Sequence, residues 1–379
     1  MKTKKTIFLV CRLLVGLLFI FSGAVKAIDP LGSVYKITDY MEAMGLSSLI
    51  EYGWIAYVAA FALFTIEFTI GICLVTKMNF KLGLWGATLM MAVMTPLTVW
   101  IAKEDPVTDC GCFGDAIVLT NVQTLLKNIV IDILIIAMWI LHKVNRDWKL
   151  TVLSWIVTLL AVLLSVGFGL WTLKNIPVVD FRPSYVGADI RKQMEQPEGT
   201  HPDIYETSFV YKKDGVTKEF KLTELPEDIA SWEFVEQKSK LVEKGVQPPV
   251  HDFMITDIDG NDLTDEVLDN EGKTYLVVMW DLNKADTTAE LIEAINQLQD
   301  SVVAEGATFM GITASDDITL NRFMEETDAK FGVWFMDPIQ LKTMVRANPG
   351  IFVIEKGIVV EKYNANRLVK ESKLGAKEL

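Results

Sequence analysis

The sequence predicts an α-helical membrane bundle followed by an α/β domain outside the membrane. Three observations predict it. The chain has 379 residues and a mean hydropathy of +0.30; most of its apolar excess precedes Lys174, and most of its acid follows it. Five apolar runs in the first part are long enough to cross a bilayer, which takes about 17 to 25 residues as helix. From Gln247 onward, β-rich runs alternate with helical patterns, as in an α/β unit.

Composition narrows the function. The net charge of −13 belongs mainly to the polar second half, which argues against nucleic acid as a partner. Three histidines and four cysteines are too few for a haem protein or a multi-ligand metal enzyme. A Cys-x-Cys pair with no nearby histidine is a poor zinc site, since zinc takes four ligands, and no metal is expected.

The five runs are Thr6–Ile28, Trp54–Thr76, Leu82–Ala102, Leu125–Leu141 and Thr151–Leu173. The first follows Lys2, Lys4 and Lys5, as a signal peptide would. Arg12 inside the run and Lys26 near the would-be cleavage region favour a retained anchor instead. Positive charges set the orientation. One set of loops carries Lys2, Lys4, Lys5, Lys77, Lys81, Lys143, Arg146 and Lys149. The opposite loops are mixed or acidic, with Asp29, Asp39, Glu42, Glu51, Glu104, Asp105, Asp109 and Asp115. The N-terminus is therefore expected in the cytoplasm, and the second half outside it.

Three spans carry an ionisable residue: Arg12, Glu67 and Asp132. Such residues are expensive in hydrocarbon and face a bundle interior. Arg12 lies about 9 Å, and Glu67 and Asp132 about 14 Å, from the cytoplasmic side at ~1.5 Å per residue. The three are expected to meet in one layer, as a structural ion pair or as a proton or quinone-head-group site. Gly16, Gly23 and Gly71 let helices approach closely. Cys11 and Cys73 lie in the cytoplasmic-side parts of their helices and read as small hydrophobes.

The stretch Asp109-Cys110-Gly111-Cys112-Phe113-Gly114-Asp115 joins the third and fourth spans on the oxidising side, where a disulfide persists. Glycine permits the tight backbone an i,i+2 disulfide needs. A ring so small is strained and easily reduced, and closing it removes little unfolded-state entropy. Redox chemistry and a pinned turn both fit the pair. The flanking aspartates oppose thiolate formation.

These residues resemble the DoxX/MauE family of small membrane proteins over about residues 6–143. Arg12 with Gly16, Ser22-Gly23-Ala24-Val25-Lys26 and Pro30, Glu67 with Gly71, and Cys110-Gly111-Cys112-Phe113-Gly114 carry the resemblance, the last run being the most specific. It implies a four-helix bundle associated with thiol or quinone redox processes in the bacterial envelope. MauE-type members are tied to disulfide-dependent maturation of a periplasmic enzyme. The fold is also similar to quinone reductases of the vitamin K epoxide reductase type, which use another cysteine spacing.

After the fifth span, Ile176-Pro177 to Arg182-Pro183 reads as a rigid exit. Tyr205–Lys212 and Val216–Leu222 alternate around Asp214-Gly215, a hairpin signal within a small β insert. Asp252–Asp257 and Asn261–Leu263 around Asp259-Gly260 read as another hairpin. Then come strand Tyr275–Trp280, helix Thr287–Val303, strand Ala307–Ala314, helix Ile318–Thr327, strand Gly332–Phe335 and helix Ile339–Arg346. The strand pair Ile351–Ile354 and Val359–Tyr363 follows Pro349. The order from 247 to 368 resembles the thioredoxin-like fold of extracytoplasmic thiol reductases and peroxiredoxins, with Asn348-Pro349 at its cis-proline position. The family's two cysteines would fall near Lys284 and Thr287, yet no cysteine follows Cys112. Without a thiolate this domain has no nucleophile for exchange and reads as a redox-inactive binding module.

The chain thus divides into a membrane domain (1–145), a fifth span and exit (146–177), a polar β-containing insert (178–246) and a cysteine-less thioredoxin-like domain (247–379). Two functions are expected. In one, a protein of the bacterial inner membrane relays electrons between a quinone and periplasmic thiols through Cys110 and Cys112, while the outer domain binds a client or partner subunit. In the other, it is a non-catalytic scaffold or assembly subunit and the disulfide is structural.

Overall fold

The architecture below is that of a computed structural model. It describes residues 2–142, 151–202, 204–213, 215–221, 225–226, 228–243 and 245–375. Lys143, Arg146 and Lys149, which helped set the expected orientation, lie outside these residues, as do Asp214 and Leu222.

Among the described residues, seven α-helices build the first half: α1 (Lys2–Ile28), α2 (Pro30–Ala43), the single turn α3 (Ser47–Ile50), α4 (Trp54–Thr76), α5 (Phe80–Glu104), α6 (Asn121–Leu141) and α7 (Val152–Lys174). Five of them, α1, α4, α5, α6 and α7, are long and apolar enough to cross a membrane. α1 packs on α4, α6 and α7; α4 also packs on α5, and α5 on α6, so α1, α4, α5 and α6 close a four-helix square. The α1–α4 seam is tight because Gly23 meets α4 backbone: a Cβ there would lie 2.6 Å from Phe68 N and 2.7 Å from Phe64 O.

α2 was not evident in the sequence. Asp29 starts it, accepting the Gly32 N–H at 2.9 Å, and Pro30 occupies the first helical position. The helix contacts α4 and α7 and lies over the end of the bundle where the 105–120 loop emerges. A 3-10 turn at Gly114–Ala116 closes that loop, and a Thr120/Gln123 capping box opens α6.

The second half begins with α8 (Ile190–Met194). An antiparallel sheet follows, ordered β2 (Val216–Lys221), β1 (Ile204–Lys213), β3 (Glu233–Glu243). The expected hairpin is β1–β2; β3, which pairs along β1, was hidden by its charges.

The α/β domain runs α9 (Thr264–Leu268), β4 (Lys273–Met279), α10 (Ala289–Ala304), β5 (Thr308–Thr313), α11 (Asp317–Glu326), β6 (Val333–Phe335), α12 (Pro338–Met344), β7 (Gly350–Glu355), β8 (Ile358–Asn364) and α13 (Asn366–Gly375). The sheet order is β6-β5-β4-β7-β8, with β4, β5 and β6 parallel and β7 and β8 antiparallel to their neighbours. Central β4, whose Leu276 to Met279 are all buried, carries apolar clusters on both faces. With a cis Asn348–Pro349 bond before β7, this is the thioredoxin-like arrangement. The hairpin expected at 252–263 is reduced to a short turn: the chain folds back at Asp257–Gly260 with one antiparallel bridge, Thr256 to Asp262, and Leu263 N–H donating to Ile255 O at 2.8 Å. Thr256 also bridges to Phe335 of β6, and Asp257 closes the turn by accepting the N–H groups of Asp259 and Asn261.

Candidate functional site

Cys110 and Cys112 are joined by a disulfide, with Cα atoms 5.4 Å apart across Gly111. Gly111 has φ +65°, a left-handed conformation that disfavours side chains. Its missing Cβ would also lie 2.7 Å from the stem of Lys36.

Three helices hold this turn. From α2, Tyr40 donates to Cys110 O at 3.1 Å, and one turn earlier Lys36 pairs with Asp109 at 3.0 Å. Asp109 accepts the Gly111 N–H at 2.7 Å. Burial, with Asp109 and Asp39 nearby, pushes the Tyr40 phenol up to about 12, so it stays a donor. From α1, Lys26 donates to Cys112 O at 2.8 Å and pairs with Glu67 of α4 at 2.7 Å. Ser22, one turn before, lies 2.7 Å from Cys112 O and 3.0 Å from Glu67 Oε2. Its single proton serves one acceptor at a time. Ser22, Lys26 and Glu67 are all buried. From α6, the Lys127 ammonium lies 4.6 Å from the centroid of the Phe113 ring.

Beneath the turn lies a cavity of about 320 Å³. Leu18, Leu63, Met90, Met94 and Leu97 line its apolar part. Lys26, Glu67, Lys127, Asn128 and the two cysteines line its polar end. Thioether side chains adapt to irregular ligands, so the cavity suits a flexible apolar molecule with a polar head.

The expected layer of Arg12, Glu67 and Asp132 does not form. Arg12 donates to Leu74 O and Val75 O at 2.7 and 3.0 Å, satisfying carbonyls at the C-terminal end of α4. Asp132 accepts from Thr95 of α5 at 2.7 Å. The reason is register. α1 and α4 run antiparallel, and Gly16 meets Gly71 while Gly23 meets Phe64 and Phe68. That places Arg12 at the end of α4 and brings Lys26, not Arg12, to Glu67. Similar depth does not choose a neighbour. Lys26, Ser22, Lys36, Tyr40 and Lys127 were not picked out as site residues. Ser22 and Lys26 at i,i+4 spacing, and a lysine six residues past Asn121, were the available signals. Cys11 and Cys73 are buried free thiols away from the pair, Cys73 lying 3.7 Å from Thr158 Oγ1.

The α/β domain has a cis-proline beside a loop that holds no cysteine. Asp286 N–H donates to Asn348 O at 3.1 Å, which ties the 281–287 loop to the cis Asn348–Pro349 bond, and Pro349 is buried beneath it. Lys284 pairs with Asp281 at 2.8 Å, and Thr287 is exposed. Lys284, Thr287 and Pro349 thus belong to one small region.

A charged contact joins the two halves. Arg346 pairs with Asp29 at 2.9 Å and Asp115 at 3.3 Å. Tyr35 of α2 meets Trp280 edge-on, centroids 6.2 Å apart. In the exit segment, Arg182 pairs with Asp180 at 2.8 Å and donates to Thr343 O at 2.9 Å; Lys362 also pairs with Asp180. Burial alone raises the Asp29 carboxyl, but Arg346, Arg182 and the Gly32 N–H outweigh it and hold it below the usual range.

Residues 4–141 match the family model described as Methylamine utilisation protein MauE. Residues 205–244, spanning the three-stranded sheet, match a domain of unknown function (DUF8463). No curated protein matches the chain. A solved structure described as a thiol:disulfide interchange protein DsbE, from Chlorobium tepidum, is similar at 22% identity and a TM-score of 0.26, over 33% of this chain and 92% of that one.

Proposed function

We propose that the MauE-type bundle is a redox relay, in which Cys110 and Cys112 pass electrons from thiols outside the cytoplasm to a quinone in the bilayer. One observation carries this reading: the disulfide forms the roof of an apolar, methionine-lined cavity and is reached by buried charge from inside the bundle. The stoichiometry closes. A client dithiol reduces the disulfide and becomes a disulfide itself. The Cys110 and Cys112 thiols then lose two electrons and two protons, and a quinone gains both to become a quinol.

The loop lysines support an orientation with the N-terminus in the cytoplasm. α2, the cysteine turn and the thioredoxin-like domain share the opposite end of the bundle, which in a bacterial inner membrane is the periplasmic face. The outer domain, lacking thiols, acts as the docking module for a client or partner subunit.

The test uses the full chain in lipid nanodiscs, with dithiothreitol as electron donor and ubiquinone-1 or menadione as acceptor. Wild type is expected to couple their reactions, and C110S and C112S to abolish coupling. Equal turnover in all three would overturn the relay. The second reading is a scaffold with a structural disulfide. The Arg346 contact favours it, because it ties Asp115 at the end of the cysteine turn to the outer domain. A pair that stays oxidised at every physiological potential would support it.

A further inference from the structure

Three lysines line the cavity beneath the disulfide, and they differ in how far they are committed; Lys36 is held by Asp109 at 3.0 Å. Lys26 has Ser22 Oγ, both Glu67 oxygens and Cys112 O within 2.7–2.9 Å. An ammonium with three protons has nothing left to offer there. Asn128, beside Lys127 on α6, donates to Thr98 of α5 at 3.2 Å. Lys127 is different. Its ammonium rests over the Phe113 ring, and among the described residues it has no ion pair and no hydrogen bond. An ammonium at the edge of an apolar cavity keeps a strong, unspent preference for an electronegative oxygen.

Phe113 follows Cys112 directly, so this cation sits beside the redox pair. Building on the relay above, we propose that Lys127 is the residue that contacts the quinone, donating a charge-assisted hydrogen bond to one ring carbonyl oxygen. As Cys110 and Cys112 close their disulfide, two electrons enter the ring and negative charge develops on that oxygen. Lys127 stabilises the charge and hands over one proton, the quinol's second proton coming from one thiol. The other thiol proton reloads Lys127, and the two protons released equal the two taken up. The Lys26–Glu67 pair holds the backbone of the turn and takes no part in proton transfer.

The experiment measures KM for ubiquinone-1 in full-length protein in nanodiscs, at saturating dithiothreitol. Lys127→Met is expected to raise it about tenfold, the loss of one hydrogen bond to a charged group. Lys127→Arg, which keeps charge and donors, is expected to restore it. The unfolding midpoint of each variant controls for folding; should Lys127→Met not accumulate, Lys127→Gln replaces it with the same expected direction. An unchanged KM in the neutral variant, while turnover still depends on Cys110 and Cys112, overturns the role of Lys127 and leaves the relay standing. Absence of turnover in wild type with both ubiquinone-1 and menadione overturns both.

Discussion

The turn at Cys110–Cys112 and the loop at Asp281–Thr287 divide between them what a thiol-exchange site needs. The turn has the sulfurs, a lipid-side cavity and charged groups beneath it. The loop has the sheet end, the cis-proline neighbour and an open polar surface, with Lys284 and Thr287 but no cysteine. Thioredoxin-like geometry therefore says nothing about exchange chemistry unless the nucleophile is present. Under the proposed relay, the chemistry lies where the fold is least suggestive of it, and the suggestive fold is left for recognition.

The contrast can be broken most directly by moving the sulfurs. Removing either loop cysteine should abolish quinone-coupled dithiol oxidation. Lys284→Ala with Thr287→Ser should leave it intact, because neither residue supplies an exchanging group. Loss of turnover in the second variant would reverse the assignment of the two sites.

A smaller effect is expected beneath the turn. Lys26→Met leaves the Glu67 carboxylate buried without its cation, at a cost of about 3–5 kcal/mol, read by denaturant unfolding in detergent. Replacing both, with Lys26→Met and Glu67→Leu, should recover most of that loss. A double variant no better than the single one would show that the pair does more than hold charge.

The junction should respond next. Arg346→Met removes charged hydrogen bonds to Asp29 and is expected to cost about 2–3 kcal/mol, seen as faster hydrogen exchange in 30–43 and faster proteolysis at 176–183. The same contact sets an acid limit. The Asp29 pKa is lower in the folded state, so its contribution is complete above the ordinary value of 3.8 and lost as pH falls through the folded value beneath it. The Asp29 contribution should be level near neutrality and fail only in stronger acid, while Asp115, whose carboxyl burial pushes up, works in the opposite sense just above 3.8. Loosening near neutrality would contradict the Asp29–Arg346 geometry. The smallest change is Gly111→Ala, expected to cost about 1–2 kcal/mol because φ +65° strains an L residue and Lys36 must move aside.

The long-range plan was legible because its signals are long. Five apolar runs and a strict alternation of strands and helices survive ambiguity at any one residue. What was missed is short or relational. α2 is only Pro30–Ala43, amphipathic and flanked by acids, yet its Asp29-Pro30 start was a readable cap. β3 hides because Glu233, Glu236, Lys238, Lys240 and Glu243 dilute its apolar pattern. The partner of Glu67 depended on how α1 and α4 slide past each other, which glycine contacts decide and sequence depth does not. Lys127 gained its meaning only when Phe113 and the cavity were placed beside it.

The central claim is that Cys110 and Cys112 cycle while the outer domain does not. Differential alkylation with mass spectrometry, on the full chain in nanodiscs poised from about −300 to −100 mV, measures it. The account predicts that the pair moves from dithiol to disulfide within that range, and that adding ubiquinone-1 drives the reduced pair oxidised. A disulfide that stays closed throughout, indifferent to quinone, would contradict it.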